Sequence, residues 1–173
     1  MLKKFNLVEC CPRSVPADPF TRLSKDLGWD STSAVELVSV YRKAVGSLNY
    51  LVTCTRPDIA YAVNKVSQFS NSPTGAHWEA VKRILSYLKV TTSHGIVFGG
   101  TGDTTTLPAY SDADFASNLD DHRSTTGVIL IVNGGPVVWK SQRQKCVSLS
   151  TTESEYVAAS AGGKEVVWMR RLL

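Results

Sequence analysis

The chain has 173 residues, 43% apolar and 20% charged, with a formal net charge of +4. That composition suits one ordinary globular domain or two small ones, and it excludes a low-complexity or collagen-like chain. No run approaches the roughly 18 apolar residues of a membrane span, and MLKKFNLVECCPRSVP lacks an apolar core of signal-peptide length, so no membrane partner and a cytoplasmic or nuclear setting are expected.

Residues 1–34 read as an irregular lead-in, because Pro12, Pro16 and Pro19 interrupt any helix and DSTS at 30–33 is a polar linker. The spacing of Val35, Val38, Tyr41, Val45, Leu48 and Leu51 predicts a helix over 35–54. TRPD opens a second helix, with Pro57 suited to its first turn and Asp58 to its N-terminus; Ile59, Val63, Val66 and Phe69 form its apolar stripe. After NSPT, Trp78, Val81, Leu85 and Leu88 mark a third helix. Lys82, Arg83, Ser86 and Lys89 are expected on its outer side.

Beyond residue 94 the period changes. GIVFGG at 95–100 reads as a short strand and 107–115 as a second. GVILIV at 127–132 is apolar on both faces, as in a central strand covered on both sides. NGGP at 133–136 is a tight turn, and VVWKS begins the return strand of a hairpin. CVSLS at 146–150 alternates and is expected to extend that strand past an SQRQK interruption. STTESEYVAASAGGKEVVWMRRLL then reads as a helix. The expected class is α+β: a helical segment at 35–94, then strand–strand–strand–helix over 95–173.

Four aspartates crowd AYSDADFASNLDDHRSTTG at 109–127. Asp112 and Asp114 share a strand face, and two close carboxylates repel unless a cation or a basic group lies between them. Asp120, Asp121, His122 and Arg123 read as a polar loop. A glutamate early in the last helix could meet Asp112 at one end of a small sheet, but spacing alone also makes Ser150-x-x-Glu153 and Thr152-x-x-Glu155 capping boxes. The scattered Cys and His residues give little support to zinc. Charge is uneven: residues 1–100 hold 12 Lys+Arg and 7 Asp+Glu, a balance of +5, and residues 101–173 hold 7 and 8, a balance of −1. Lys82 and Lys89 on the third helix, with Arg143 and Lys145 near the strand interruption, are the candidate nucleic-acid contacts; a solvated surface is the competing reading. Trp78 and Trp139 read as core residues rather than base-stacking platforms.

YSDADFA, DDHRSTTGVILIVNGGPVVWKSQRQ and LSTTESEYVAASAGGKEVVWMRRLL together resemble the ribonuclease H domain of copia-type LTR retrotransposon Pol polyproteins. YRKAVGSLNYLVTCTRPDIAYAVNKVSQF and SPTGAHWEAVKRILSYLK resemble the thumb or connection-like segment between reverse transcriptase and that domain, and the lead-in resembles the stretch before it. The resemblance implies a partial ribonuclease H-like mixed sheet, with its first three strands and first helix. The implied activity is Mg²⁺-dependent cleavage of RNA in an RNA–DNA hybrid. Carried over, the metal aspartate is Asp112, and the helix glutamate, in EYVAA, is Glu155; Glu153 keeps the cap. Asp114 receives no ligand role. Further family carboxylates lie on elements after those seen here, so the isolated chain is expected to be weak or inactive and to depend on the rest of a Pol polyprotein. The alternative is a non-catalytic nucleic-acid-binding or structural remnant of a transposon.

Overall fold

A computed structural model describes residues 2–5, 7–25, 34–99 and 106–173. They fall into two compact units, 1–94 and 95–173. The DSTS linker and the first glycines after Phe98–Gly99 lie outside the described residues.

The first unit contains α1 (Ala34–Cys54), α2 (Ala60–Ser67) and α3 (Gly75–Val90), with a 3-10 turn at Pro57–Ile59 leading into α2. The apolar stripes converge as their spacing requires. Tyr41, Val45 and Leu48 of α1, Ile59, Val63 and Val66, and Val81, Leu85 and Leu88 of α3 form one buried cluster. The Tyr41 hydroxyl is also buried and donates to the Val66 carbonyl at 2.7 Å, which satisfies the one polar atom of that side chain. Among the described residues the lead-in forms a 3-10 turn, Leu2–Phe5, and it packs Phe5, Leu7 and Leu23 on the helical core. Trp78 lies among Phe5 and Tyr41, each with ring centroids 6.4 Å away.

TRPD does more than start a helix. Arg56, 6% exposed, grips Asp58 with two nitrogens at 2.9 and 2.7 Å and donates to the Thr91 carbonyl and hydroxyl at 3.0 and 2.6 Å. The Tyr87 hydroxyl donates to the same carboxylate at 2.9 Å. One guanidinium thus joins the entry to α2 with the end of α3. Ser86 departs from expectation: it is buried and donates to the Lys82 carbonyl at 2.9 Å. The buried arc of α3 takes in Ile84, Ser86 and Tyr87 as well as the apolar stripe, which leaves a narrow solvent face.

The second unit contains β1 (Ala109–Asp114), β2 (Thr125–Val132), β3 (Gly135–Arg143) and α4 (Thr151–Leu172). The three strands form an antiparallel sheet in the order β1-β2-β3, the strand–strand–strand–helix arrangement of the expected partial ribonuclease H-like fold. Asn133 and Gly134, at φ 49° and 78°, supply the two left-handed residues of a two-residue hairpin turn. Two strand expectations fail. The described part of GIVFGG, 95–99, is not a strand; its hold on the sheet includes a bond from the Gly99 N–H to the Asn133 carbonyl at 2.9 Å. CVSLS is not a strand either, whereas β3 runs through Ser141–Arg143 of the supposed interruption. The chain leaves the ladder at Gln144, whose side chain turns inward.

α4 covers one face of the sheet, where Val128, Leu130 and Met169 are buried with Val138 and Val166 packed beside them. Ile129 and Ile131 alternate onto the other face and are half-buried, as is Trp139, the register partner of Ile129. Neither the covering of GVILIV on both sides nor a core place for Trp139 is seen among the described residues.

Candidate active site

Asp112 is the fourth residue of β1, in register with Gly127, and is exposed. A Cβ built on Gly162 of α4 would meet the Ser111 Cβ at 3.4 Å and Val128 at 3.9 Å. Ser111 therefore faces the helix, and strand alternation sends Asp112 and Asp114 to the opposite face. The side of β1 beneath α4 carries Ala109, Ser111 and Ala113, all small.

Ser150 starts α4 with an extended backbone, and its hydroxyl accepts from the Glu153 N–H at 3.1 Å. The Glu153 carboxylate accepts from the Leu149 N–H at 2.7 Å, a capping box displaced by one residue from the usual frame. Glu153 is thus the capping glutamate. Thr152 lies inside the helix, so the second capping box does not form. Glu155 is exposed and is left without this local use. At 100° per residue it lies about 20° from Gly162 around the helix, on the side that overhangs β1.

The Asp112 and Glu155 side chains make no hydrogen bond or ion pair with any described residue. Gln144 bonds both Thr126, the partner of Ala113 in β1, and the Ser154 carbonyl. The start of α4 is therefore level with the C-terminal half of β1, and the two carboxylates belong to the same end of that strand. β1 is one of the two edge strands among the described strands. β1 turns Asp112 to the face away from α4, and Glu155 stands on the α4 side of this edge.

No group of three or more His, Cys, Asp or Glu side chains able to hold a metal is found among the described residues. The donor set at the candidate site is therefore two carboxylates. Mg²⁺ takes oxygen ligands, keeps several waters and is commonly held by one or two carboxylates plus substrate phosphates. Carboxylate oxygens are the donor type that Mg²⁺ takes, and two are present at this end of β1.

The loop between β1 and β2 is a built polar turn. Buried Asn118 accepts from the Asp120 N–H at 2.9 Å through its side chain and from the His122 N–H at 2.8 Å through its carbonyl. Asp121 receives the Arg143 guanidinium at 3.0 Å and the Arg123 N–H at 3.2 Å.

The candidate basic contacts differ in what holds them. Lys82 is paired with Glu79, and Lys89 donates to the Cys10 carbonyl at 3.0 Å, fastening the lead-in. Arg143 secures the β1–β2 loop through Asp121. Lys145 is exposed and makes no polar contact with a described residue. No described helix is long and apolar enough to cross a membrane.

The chain is 45% identical along its whole length to the retrovirus-related Pol polyprotein from transposon TNT 1-94 of Nicotiana tabacum, aligning with 13% of that protein. It is 44% identical, again along its whole length, to the corresponding polyprotein from transposon RE1 of Arabidopsis thaliana, aligning with 11% of it. It is also 46% identical over 75% of its length to secreted RxLR effector protein 161 of Plasmopara viticola, of which it covers 90%. The chain thus spans a small part of the two Pol relatives. No family model matches it, and no solved structure does.

Proposed function

The chain belongs to the retrovirus-related Pol polyproteins of copia-type transposons, and from that membership we propose that its second unit serves Mg²⁺-dependent hydrolysis of the RNA strand in an RNA–DNA hybrid. The observation that carries the reading is the pair Asp112 and Glu155. Both are exposed, neither has an internal partner, and both belong to the same end of the edge strand β1. An unpaired surface carboxylate is ordinary. Two of them, on the elements where this family resemblance expects its metal ligands, are less so.

In this reading Asp112 and Glu155 would be the residues of this segment that hold the metal. When bound, Mg²⁺ supplies neutralisation of the scissile phosphate and a more acidic water. Glu153 does not compete, because its carboxylate is held by the Leu149 N–H. Lys145 is placed to meet a backbone phosphate without first giving up an internal bond. Lys82, Lys89 and Arg143 must share or release an acceptor to do the same.

The test is release of labelled RNA from a hybrid by a Pol polypeptide containing this segment, with Mg²⁺, beside its Asp112→Asn and Glu155→Gln variants. Each substitution is expected to remove cleavage while leaving the polypeptide folded. Cleavage that survives both substitutions would show that other groups hold the metal.

A further inference from the structure

Gln144 is 5% exposed, and its side-chain amide is fully engaged. Nε2 donates to the Thr126 hydroxyl at 3.0 Å and to the Ser154 carbonyl at 2.9 Å. Oε1 accepts from the Ser148 hydroxyl at 3.2 Å, and the Gln144 N–H donates to the Ser124 carbonyl at 2.8 Å. Thr126 is the β2 partner of Ala113, the residue after Asp112. Ser154, fully buried, is the residue before Glu155. One planar amide therefore bridges the strand beside the first carboxylate and the helical turn that carries the second.

We propose that Gln144 is a positioning residue for this pair: it fixes the opening turns of α4 against β2 and so sets where Glu155 stands relative to Asp112. The inference rests on reading Asp112 and Glu155 as metal ligands. Two features favour positioning over mere satisfaction of buried polar groups. The Ser154 carbonyl lies inside α4, where the N–H four residues on is its regular partner, so it has no need of a side chain. The two Nε2 hydrogens also diverge at a fixed angle, so holding both acceptors allows little rotation of the helix start. Losing either bond in a buried site leaves a desolvated group, which makes the arrangement stiff.

The test uses nuclear magnetic resonance on the full chain. Residual dipolar couplings report the orientation of the Ser154–Tyr156 N–H vectors relative to β2, and Mn²⁺ titration reports paramagnetic broadening at Asp112 and Glu155. In the unaltered chain both signals should broaden together. Gln144→Glu, ionised and without a donor, and Thr126→Val, without the acceptor, should each rotate the opening turns. Each should weaken Mn²⁺ binding about tenfold, with Glu155 broadening less than Asp112. Thr126→Ser keeps the hydroxyl and should behave like the original chain. The Thr126 pair decides the matter if Gln144→Glu does not fold. Unchanged orientation with joint broadening in folded Gln144→Glu or Thr126→Val would overturn the positioning role and leave the metal reading intact. An unaltered chain in which neither residue broadens would overturn the metal reading, and the purpose assigned to Gln144 with it, even if the helix start still rotated.

Discussion

Replacing Arg56 with Met tests how the helical unit is closed. The substitution keeps most of the aliphatic stem and removes four hydrogen bonds, two to Asp58 and two to Thr91. It leaves Asp58 with the Tyr87 hydroxyl as its side-chain donor from α3 and leaves the Thr91 carbonyl, at the end of α3, without the guanidinium. Breaking a fully buried ion pair from one side costs about 3–5 kcal/mol. The Asp58 side chain is 32% exposed, so water recovers part of the loss, and a cost of about 2–3 kcal/mol is expected. For a unit of this size that lowers the melting temperature by roughly 10–20 °C. Peptide-resolved hydrogen exchange should show the loss in α2 and α3, with the peptides of the second unit unchanged. A double-mutant cycle with Asp58→Ala should show coupling above about 0.5 kcal/mol, since the two residues touch. The pH dependence has a definite sign. Burial pushes the Asp58 carboxyl upward, but the bonds from Arg56 and Tyr87 and the Arg56 charge outweigh it and hold the group below the usual carboxylate range. Its stabilisation is thus complete above the unfolded value near pH 4 and is lost as pH falls further. Arg56→Met should remove that acid-side loss. A variant within 0.5 kcal/mol of the original, or one whose stability keeps the same acid limb, would refute the reasoning.

Gly135→Ala should destabilise the second unit by about 1–3 kcal/mol, because the new Cβ would meet the Val97 carbonyl at 2.8 Å and the Phe98 ring at 2.6 Å. Gly163→Ala, with open space around its Cβ inside α4, should stabilise by up to about 1 kcal/mol; urea titration compares the two. Ser150→Ala should cost about 1 kcal/mol by freeing the Glu153 N–H, and amide exchange at 153 should quicken first. Hybrid binding should weaken with salt, and Lys145→Ala should lower the slope of log K against log salt by about 1. Lys89→Ala should instead loosen the lead-in that its ammonium holds at the Cys10 carbonyl, seen as faster proteolysis before residue 25.

Much of this architecture is legible in the sequence because burial follows periodicity. Tyr41, Val45 and Leu48 are spaced as a helix face, and they are buried as one. Asn-Gly between two apolar runs fixes the β2–β3 hairpin, since these residues accept the left-handed backbone that a two-residue turn demands. What periodicity misreads is alternation without a neighbour. Val147 and Leu149 alternate like a strand, yet they are 49% and 90% exposed, because side-chain bonds from Ser148 and Gln144 set the local backbone instead of a ladder. The capping choice was ambiguous for a related reason. Ser150 and Thr152 offer equivalent frames, and only the extended backbone at Ser150 selects one. Gln144 could not be singled out at all, since the two acceptors that tie its amide to α4 and β2 lie 10 and 18 positions away.

The candidate site draws on both kinds of information. Alternation in AYSDAD was visible from the outset, but its useful half was hidden in the small residues. Ala109, Ser111 and Ala113 leave room above β1, and Gly162 uses it, approaching Ser111 to the limit that a single added Cβ would reach. A bulky residue at either position would lift α4 away from the strand. Lifting the helix would carry Glu155 outward while leaving Asp112 where its own backbone pairing with Gly127 holds it. The acidic residues supply the chemistry proposed for this end of the sheet, but the spacing between them depends on uncharged neighbours: a serine and a glycine in contact below the helix, and a glutamine that bonds its opening turn. Charge pattern alone therefore draws attention to Asp112, Asp114, Asp120 and Asp121 alike. Packing sets two of them apart: Asp121 is committed to Arg143, and the Asp120 N–H to the Asn118 turn, whereas Asp112 and Asp114 stand on an edge strand level with the start of α4.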